Sequence, residues 1–131
     1  MILTIPGKPM GKQRPKFGKG FTYTPEKTVS YENYVKELFI IQGEEQLFGA
    51  LKADITAYFE IPKSKSKKDK ELMIKAVKRP CSKPDSDNIA KIILDSLNGI
   101  AYADDSQIVE LRVRKYYAEE PKVILELEED L

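Results

Sequence analysis

Apolar residues occupy every odd position from 51 to 61, and polar side chains or tyrosine occupy every even one. Because successive side chains of a strand point to opposite faces, this alternation predicts a strand with one buried face. Shorter apolar stretches bounded by proline, glycine or acidic residues predict further strands over residues 1–5, 107–117 and 122–128. The pattern therefore predicts four strands.

Aliphatic and aromatic residues recur at helical spacing between residues 31 and 41. Thr24-Pro25 precedes this stretch, and a hydroxyl followed by proline is typical of a helix start. We therefore expect a helix that begins with Thr24 as its cap and Pro25 at its first position, and that ends before Gly43. A second, short helix is expected over residues 66–78.

A third helix is predicted from Asp87 or Asn88 to Leu97, with Asn98-Gly99 as its stop. At about 100° per residue, its polar side chains fall on one narrow stripe, and apolar side chains fill most of the remaining circumference. The stripe contains Asp87, Lys91, Asp95 and Asn98. A helix with this pattern packs against a sheet and holds its polar stripe rigidly at the surface.

The alternation of strands and helices predicts an α+β (mixed α/β) fold, a single domain over residues 1–131. We expect a mixed β-sheet of about four strands with two to three helices packed on it. Residues 7–24 are rich in glycine and lysine and are expected to form a loop or an irregular hairpin. No apolar stretch approaches the roughly 20 residues that span a bilayer, and no signal peptide is evident, so a cytoplasmic protein without a membrane partner is expected.

Two residue types restrict the chemistry of this chain. It has no histidine and a single cysteine, Cys81. These counts exclude an imidazole-based triad, a histidine metal site and an internal disulfide. Acid–base or metal chemistry must therefore use carboxylates, lysine, tyrosine or bound water, and oxygen ligands favour magnesium, manganese or calcium.

The net charge of +1 conceals a strong segregation of charge along the chain. Residues 1–24 carry five cations and no acid, and residues 63–83 carry nine cations and two acids. Residues 116–131 carry six acids and one lysine, so this tail should lie away from any polyanion. Two basic segments, one of which ends beside a group of acids, indicate a nucleic-acid surface.

Five carboxylates lie within residues 85–105, namely Asp85, Asp87, Asp95, Asp104 and Asp105. Asp85 and Asp87 flank the predicted start of the third helix, and the chain returns beside that helix with Asp104 and Asp105. Carboxylates packed together repel one another unless a cation offsets them. We therefore expect one or two divalent metals that activate water for phosphodiester hydrolysis, with Lys91 stabilising the charge of the transition state.

Each of these residues also has a purely structural interpretation. Asp87 is suited to cap the helix, and Asp85 to form the turn after Pro84. Lys91 has the spacing to pair with acids one turn away on either side. The Asp104-Asp105 pair is equally typical of a polar turn before a strand.

An ordered series of motifs covers most of the sequence, namely Lys83-Pro84-Asp85-Ser86-Asp87-Asn88, Lys91, Asp95-Ser96-Leu97-Asn98-Gly99, Asp104-Asp105-Ser106-Gln107-Ile108, Pro9, Lys12, Arg14-Pro15 and Tyr23-Thr24-Pro25. With these spacings, the series resembles the RusA family of Holliday junction resolvases. It implies a homodimeric endonuclease that uses Mg²⁺, or Mn²⁺ as a substitute, to cut four-way DNA junctions during recombination and repair. No small-molecule cofactor is implied.

The resemblance also implies roles for individual residues. Asp85, Asp87 and Asp105 match the catalytic, metal-binding acids, and Lys91 matches a functionally important lysine. Asp104 matches the preceding acid and is included among the metal ligands, while Asp95 matches an acidic helix position. The expected DNA contacts are Lys12, Arg14, Lys16 and Lys83. A four-way junction has two equivalent scissile phosphates, so a two-fold dimer supplies two matching sites. The helix at 25–42 and the outer strands are the candidates for the dimer interface.

Three other functions remain open at this point. The chain is alternatively a metal-dependent nuclease of flaps or forks, or a non-catalytic protein that binds branched DNA. A calcium-binding structural module is a third alternative, but the acids do not have the spacing of an EF-hand.

Overall fold

The computed structural model describes the whole chain, from Met1 to Leu131. It contains a four-stranded sheet, a separate two-stranded hairpin, three α-helices and a 3-10 helix, which confirms the expected α+β class. The strands are β1 (Ile2–Pro6), β2 (Lys16–Gly18), β3 (Phe21–Tyr23), β4 (Leu51–Glu60), β5 (Ile108–Ala118) and β6 (Lys122–Glu129). The helices are α1 (Glu26–Ile41), α2 (Lys67–Ile74), α3 (Ser86–Ser96) and the 3-10 helix Asp105–Gln107.

The main sheet is mixed, with the strand order β1-β6-β4-β5. Strand β6 runs antiparallel to both of its neighbours, whereas β4 and β5 are parallel, with Tyr58 opposite Tyr116. Parallel strands need a crossover connection. The crossover here is residues 61–107, and it carries α2 and α3. Strands β2 and β3 pair only with each other, which confirms a hairpin within residues 7–24.

The core lies between one face of the sheet and the helices α1 and α3. The alternation in β4 is confirmed, because its odd-numbered side chains are buried and its even-numbered ones are half-buried or exposed. A single cluster of 21 buried residues joins the sheet to both helices. Fully buried side chains such as Val35, Ile55 and Ile92 each contribute about 1.5–3 kcal/mol through burial alone.

Helix α3 buries its apolar arc as predicted. The buried side chains of the helix are Ile89, Ala90, Ile92, Ile93, Leu94 and Ser96, and Leu97 just beyond it is also buried. Gly99 follows with φ +76°, a conformation that favours glycine and turns the chain back. The fully buried Tyr102 donates its hydroxyl hydrogen to the carbonyl of Leu94, which anchors the returning chain beside the helix.

Helix boundaries differ from the predictions in three places. Thr24 does not cap α1, because Pro25 occupies the N-cap position and no side chain accepts a hydrogen bond there. Helix α3 begins at Ser86, before the predicted start. Helix α2 ends at Ile74 instead of 78, and Ala76 beyond it has φ 62°, outside the helical range. None of the helices is both long enough and apolar enough to cross a bilayer.

Candidate active site on helix α3

Two free carboxylates stand at the N-terminus of α3. Asp85 occupies the N-cap position, but its side chain makes no capping hydrogen bond, and Asp87 lies in the first turn. Both residues are exposed, and neither side chain has a hydrogen-bond or ion-pair partner. The positive end of a helix dipole stabilises anions at this place. The capping and turn roles considered for these side chains are therefore absent, and both carboxylates remain available to a ligand.

Lys91 lies one turn further along the same polar stripe. Its side chain is exposed and forms no ion pair with Asp87 or Asp95, although the spacing would allow either. A lysine ammonium held near two carboxylates on a rigid helix, yet paired with neither, is available to contact a phosphate. The first two turns at the start of α3 thus present two free acids, Asp85 and Asp87, and one free cation.

The acids after α3 are held more firmly. Asp104 caps the 3-10 helix, since its Oδ2 accepts a hydrogen bond from the Ser106 amide at 3.1 Å. The Asp104 amide in turn donates to Oε1 of Gln107 at 3.1 Å. The hydrogen bonds from Ser106 lower the pKa of Asp104. The turn interpretation is therefore confirmed for Asp104, which leaves its role as a metal ligand a prediction.

Asp105 is half-buried between the returning chain and the C-terminal part of α3. Its amide donates to Oδ1 of Asn98 at 2.8 Å. Burial raises the pKa of its carboxyl group, and the negative charges of Asp104 and Asp95 raise it further. The buried Tyr102 nearby has a raised pKa as well, first through burial and then through these same three acids. Asp95, Asp104 and Asp105 therefore form a second acidic group, whereas the sequence predicted that the returning chain would bring its acids to Asp85 and Asp87.

The two acidic groups do not merge into one cluster. Asp87 and Asp95 are eight residues apart on one helix, which corresponds to about 12 Å along its axis. No three acidic side chains in the chain lie close enough together to hold a metal ion. The structure thus arranges the predicted acids along one helix and its return loop without a closed ligand set, and the metal-binding roles of Asp85, Asp87, Asp105 and Asp104 stay predictions.

Lys12 connects the N-terminal segment to the second acidic group. Its Nζ lies 3.1 Å from Oε2 of Glu32 on α1 and 3.4 Å from Oδ2 of Asp95 on α3, and its side chain is only 20% exposed. Its amide also donates to the carbonyl of Asn88 at 3.0 Å. These ion pairs engage the ammonium that the sequence suggested for DNA. Because most of the Lys12 side chain is already covered, it is less accessible to a phosphate than the unpaired cations, and its DNA-binding role stays a prediction.

A cleft of about 350 Å³ opens beside Asp85. Residues 8–13 form one wall, and residues 83–88 form the other. The walls approach closely at Gly11, where a Cβ atom would lie 2.8 Å from Cβ of Pro84. The sequence analysis assigned no site role to Lys8, Gln13 or Asn88, which line this cleft. Lys8 belongs to the recognised basic segment, whereas no local signal distinguishes Gln13, whose Oε1 accepts a hydrogen bond from Thr28.

Most of the expected DNA-contacting cations are free. Arg14, Lys16 and Lys83 are exposed and have no hydrogen-bond or ion-pair partner, and Lys83 lines the cleft beside Asp85. In the basic segment 63–83, three of the nine cations are engaged. These are Lys75 with Glu71, Lys78 with Asp69, and Arg79 with the Lys115 carbonyl and the ring of Tyr116. The other six remain available to a polyanion.

A larger hollow of about 660 Å³ lies on the uncovered face of the main sheet. Its lining mixes acids and bases, including Lys52, Asp54, Arg112 and Glu126. Asp54 there is paired with Arg114 at 2.7 Å. None of the predicted site residues lines this hollow, so its size alone does not make it the active site.

Comparison with known proteins identifies a matching family and a relative. The family model described as Endodeoxyribonuclease RusA matches residues 6–128, nearly the whole chain. An uncharacterized protein of Bacillus subtilis (strain 168), YqaN, is 39% identical over 127 residues, which covers 92% of this chain and 89% of YqaN. The matched region includes α3, its return loop and both walls of the cleft.

Proposed function

The chain belongs to the RusA family of endodeoxyribonucleases, and we propose that it resolves four-way DNA junctions by hydrolysing phosphodiester bonds. One observation carries this proposal beyond family membership. Asp85 just before α3, and Asp87 and Lys91 on its exposed stripe, have no partner, and Asp85 lines a cleft together with Lys8 and Lys83. Free anions next to free cations suit the recognition and hydrolysis of a phosphodiester. Recombination and repair are the processes in which such junctions need to be cut.

We propose Mg²⁺, with Mn²⁺ as a substitute, as the metal of this site. The donor set fits a hard cation, because all of the candidate ligands are carboxylate oxygens and the chain has no histidine. Asp85, Asp87 and Asp105 would hold one or two ions, with Asp104 adjacent. Because Asp105 belongs to a different acidic group from Asp85 and Asp87, a single shared ion would have to draw the two groups together. Burial raises the pKa of Asp105 and the charges of Asp104 and Asp95 raise it further, and a bound cation would offset that repulsion. When bound, such an ion polarises a phosphoryl oxygen and makes water a stronger nucleophile.

The protein's own residues have separate tasks in this proposal. The ammonium of Lys91 stabilises the negative charge that develops on the phosphoryl group or on the leaving oxygen. The capping hydrogen bonds of Asp104 and the contact between Asn98 and the Asp105 amide fix the loop that presents Asp105. The buried apolar face of α3 keeps Asp85, Asp87 and Lys91 on a rigid support, which a catalytic constellation requires.

We propose that the free cations Arg14, Lys16 and Lys83 bind the DNA backbone around this site. Each is exposed and unpaired, and each lies in one of the two basic segments. Lys12 has a smaller share in direct binding, since two carboxylates already engage its ammonium. A protein that acts on DNA in this way would work in the cytoplasm.

The proposed enzyme acts as a homodimer, because each junction presents two equivalent phosphates to be cut. Two regions named from the sequence have surfaces free for a second copy. Strand β5 forms one edge of the sheet and leaves Val109 and Leu111 exposed, and α1 ends in the exposed Ile40 and Ile41. Sedimentation equilibrium with and without junction DNA measures the oligomeric state, and a monomer on a saturated junction would contradict this part of the proposal.

Cleavage of a panel of end-labelled substrates tests the proposed function. The panel contains a four-way junction, a fork, a flap and a linear duplex of matched sequence, each with and without Mg²⁺ or Mn²⁺. We expect paired, symmetrical nicks in the junction only, and only with metal. Equal cutting of forks or flaps would instead identify a nuclease of other branched DNA. Tight junction binding without any cleavage would identify a binding protein.

A further inference from the structure

The hairpin formed by β2 and β3 exposes three aromatic rings. Phe17 is 86% exposed, Phe21 59% and Tyr23 44%, although burial would stabilise each of them. Neither strand pairs with the main sheet. The hairpin therefore lies outside the main sheet, and its aromatic side chains do not belong to the hydrophobic core.

The register places these rings on two faces of the hairpin. Phe21 pairs with Gly18, and Tyr23 pairs with Lys16, so Phe21 and Tyr23 share one face, with ring centroids 5.9 Å apart. A Cβ atom on Gly18 would lie 2.6 Å from the Phe21 ring, which shows that this ring lies across the glycine. Phe17 pairs with Thr22 on the opposite face. Phe17 is thus the most exposed ring, on a hairpin whose other aromatic side chains pack together.

The positive charge around these rings restricts the kind of partner that can bind them. Arg14, Lys16 and Lys19 flank or belong to the hairpin, all exposed and without an acidic partner, and residues 1–24 contain no acid. Like charges would repel a second copy of the same hairpin. A polyanion with flat apolar faces matches both the cations and the rings, and unpaired DNA bases joined by phosphates have this chemistry.

The base of the hairpin is fixed beside the candidate active site. Residues 11–13 lead into it, and Gly11 and Lys12 there contact Pro84 and Asn88 next to Asp85 and Asp87. On its other side the chain enters α1 directly. Lys19 at the hairpin tip is six residues beyond Gln13, so the tip reaches at most about 22 Å from these anchoring residues. A nucleobase bound at the tip would therefore lie only a few nucleotides from a phosphate at the polar stripe of α3.

We propose that the β2–β3 hairpin enters the branch point of the DNA and that Phe17 stacks against a base that is unpaired there. This inference rests on the proposed function and adds to it the device that distinguishes branched DNA from duplex. A linear duplex offers no unpaired base to the ring, whereas the lysines contact the backbone of both. Phe17 should therefore contribute to junction affinity and hardly at all to duplex affinity.

Binding in EDTA, which requires no cleavage, is the first measurement. Phe17→Ala should weaken junction binding by about 5- to 150-fold and leave duplex binding within about two-fold. Phe17→Tyr should restore junction binding, and Phe17→Leu should restore it only slightly, because stacking needs a flat ring. Phe48→Ala is the matched control, since Phe48 is likewise a highly exposed phenylalanine (70%) but lies outside the basic segment.

A fluorescent base locates the contact. 2-Aminopurine, whose emission responds to stacking, is placed at the branch point or in a distant arm. Wild type and Phe48→Ala should change the emission at the branch point only, and Phe17→Ala should not. If Phe17→Ala keeps both the junction preference and the emission change, the stacking proposal is wrong although junction binding stands. If wild type itself does not prefer the junction, the proposed function fails as well.

Discussion

Aspartates lie at both ends of helix α3, but those at one end are unpaired and those at the other end are bound or partly buried. At the N-terminal end, Asp85 and Asp87 have no partner, although the positions suit capping and pairing. At the C-terminal end, Asp95 is bound by Lys12, Asp104 caps a turn, and Asp105 is half-buried. The comparison teaches that acids in one motif divide between structure and chemistry. A carboxylate that has a possible partner nearby, yet forms no hydrogen bond or ion pair with it, is the stronger candidate for catalysis.

The largest expected effect is at the free end. Asp85→Asn should reduce the single-turnover cleavage rate of a four-way junction by about 10³-fold or more, because a metal ligand accounts for several kcal/mol of transition-state stabilisation. Junction affinity should be unchanged or slightly higher, since the variant removes a charge that repels phosphate. Rapid-quench cleavage and a gel-shift titration measure the two quantities. Near-normal cleavage would assign Asp85 to the structural group.

Lys91 should be the next most sensitive position. Lys91→Ala is expected to slow cleavage by about 10²- to 10³-fold through loss of charge stabilisation in the transition state. Its unfolding free energy should change by less than about 0.5 kcal/mol, because the lysine has no partner to lose. Lys27→Ala removes another exposed, unpaired lysine on α1 and should leave cleavage intact. A marked loss of stability in Lys91→Ala would contradict its assignment to the free end.

Two lysine variants should differ in their free energy of unfolding, because one lysine pairs with acids near the C-terminal end of α3 and the other lies unpaired beside its N-terminal end. Lys12→Met should lower the unfolding free energy by about 1–3 kcal/mol, because it leaves Asp95 and Glu32 partly buried without their cation. Lys83→Met should leave stability unchanged. It should reduce the slope of log K for junction binding against log salt concentration by about 1, which corresponds to one lost phosphate contact. Urea unfolding and gel-shift titrations over a range of salt provide both values. Equal stability of the two variants would remove the distinction between them.

The smallest effect is expected at an acid that is paired outside the site. Lys78 donates a hydrogen bond to Asp69 at 2.6 Å, and this bond with its charge holds the pKa of Asp69 below the ordinary 3.8. A lowered pKa in the folded state contributes stability above pH 3.8, and this contribution disappears as the pH falls through the lowered value. Asp69→Asn should therefore be slightly less stable than wild type at pH 7, with a difference that shrinks at a second pH well below 3.8, and fully active. Thermal unfolding at the two pH values measures this, and a difference that persists at low pH would contradict it.

Local patterns were sufficient for the strands and for the stripe on α3. Period-two alternation in β4 and the distribution of apolar residues around α3 each depend on near neighbours only, and the structure confirms both. The return of Asp105 to the helix was also predictable, because Gly99 and the following strand leave a short connection. The family motifs lie in the same stretch, so the candidate site was largely accessible from the sequence.

Contacts between distant segments were not predictable in this way. The pairing of Lys12 with Glu32 and Asp95 joins residues that are 20 and 83 positions apart, and no local pattern indicates it. Arg79 appeared to be one more cation for DNA, yet it lies 4.2 Å from the ring centre of Tyr116 on β5. The proposed cap at Thr24 failed because the neighbouring Pro25 takes the N-cap position. In each case the local sequence was compatible with two roles for the residue, and tertiary contacts or backbone geometry determined which one it has.

The central claim is that the free carboxylates of α3 perform chemistry and do not stabilise the fold. Single-turnover cleavage of an end-labelled four-way junction in Mg²⁺, by wild type, Asp87→Asn and Asp130→Asn, tests it most directly. Asp130→Asn makes the same charge change at the far end of the chain, where Asp130 pairs with Lys52. We predict that only Asp87→Asn loses cleavage, while it binds the junction and unfolds like wild type. Cleavage by Asp87→Asn at the wild-type rate would contradict the account.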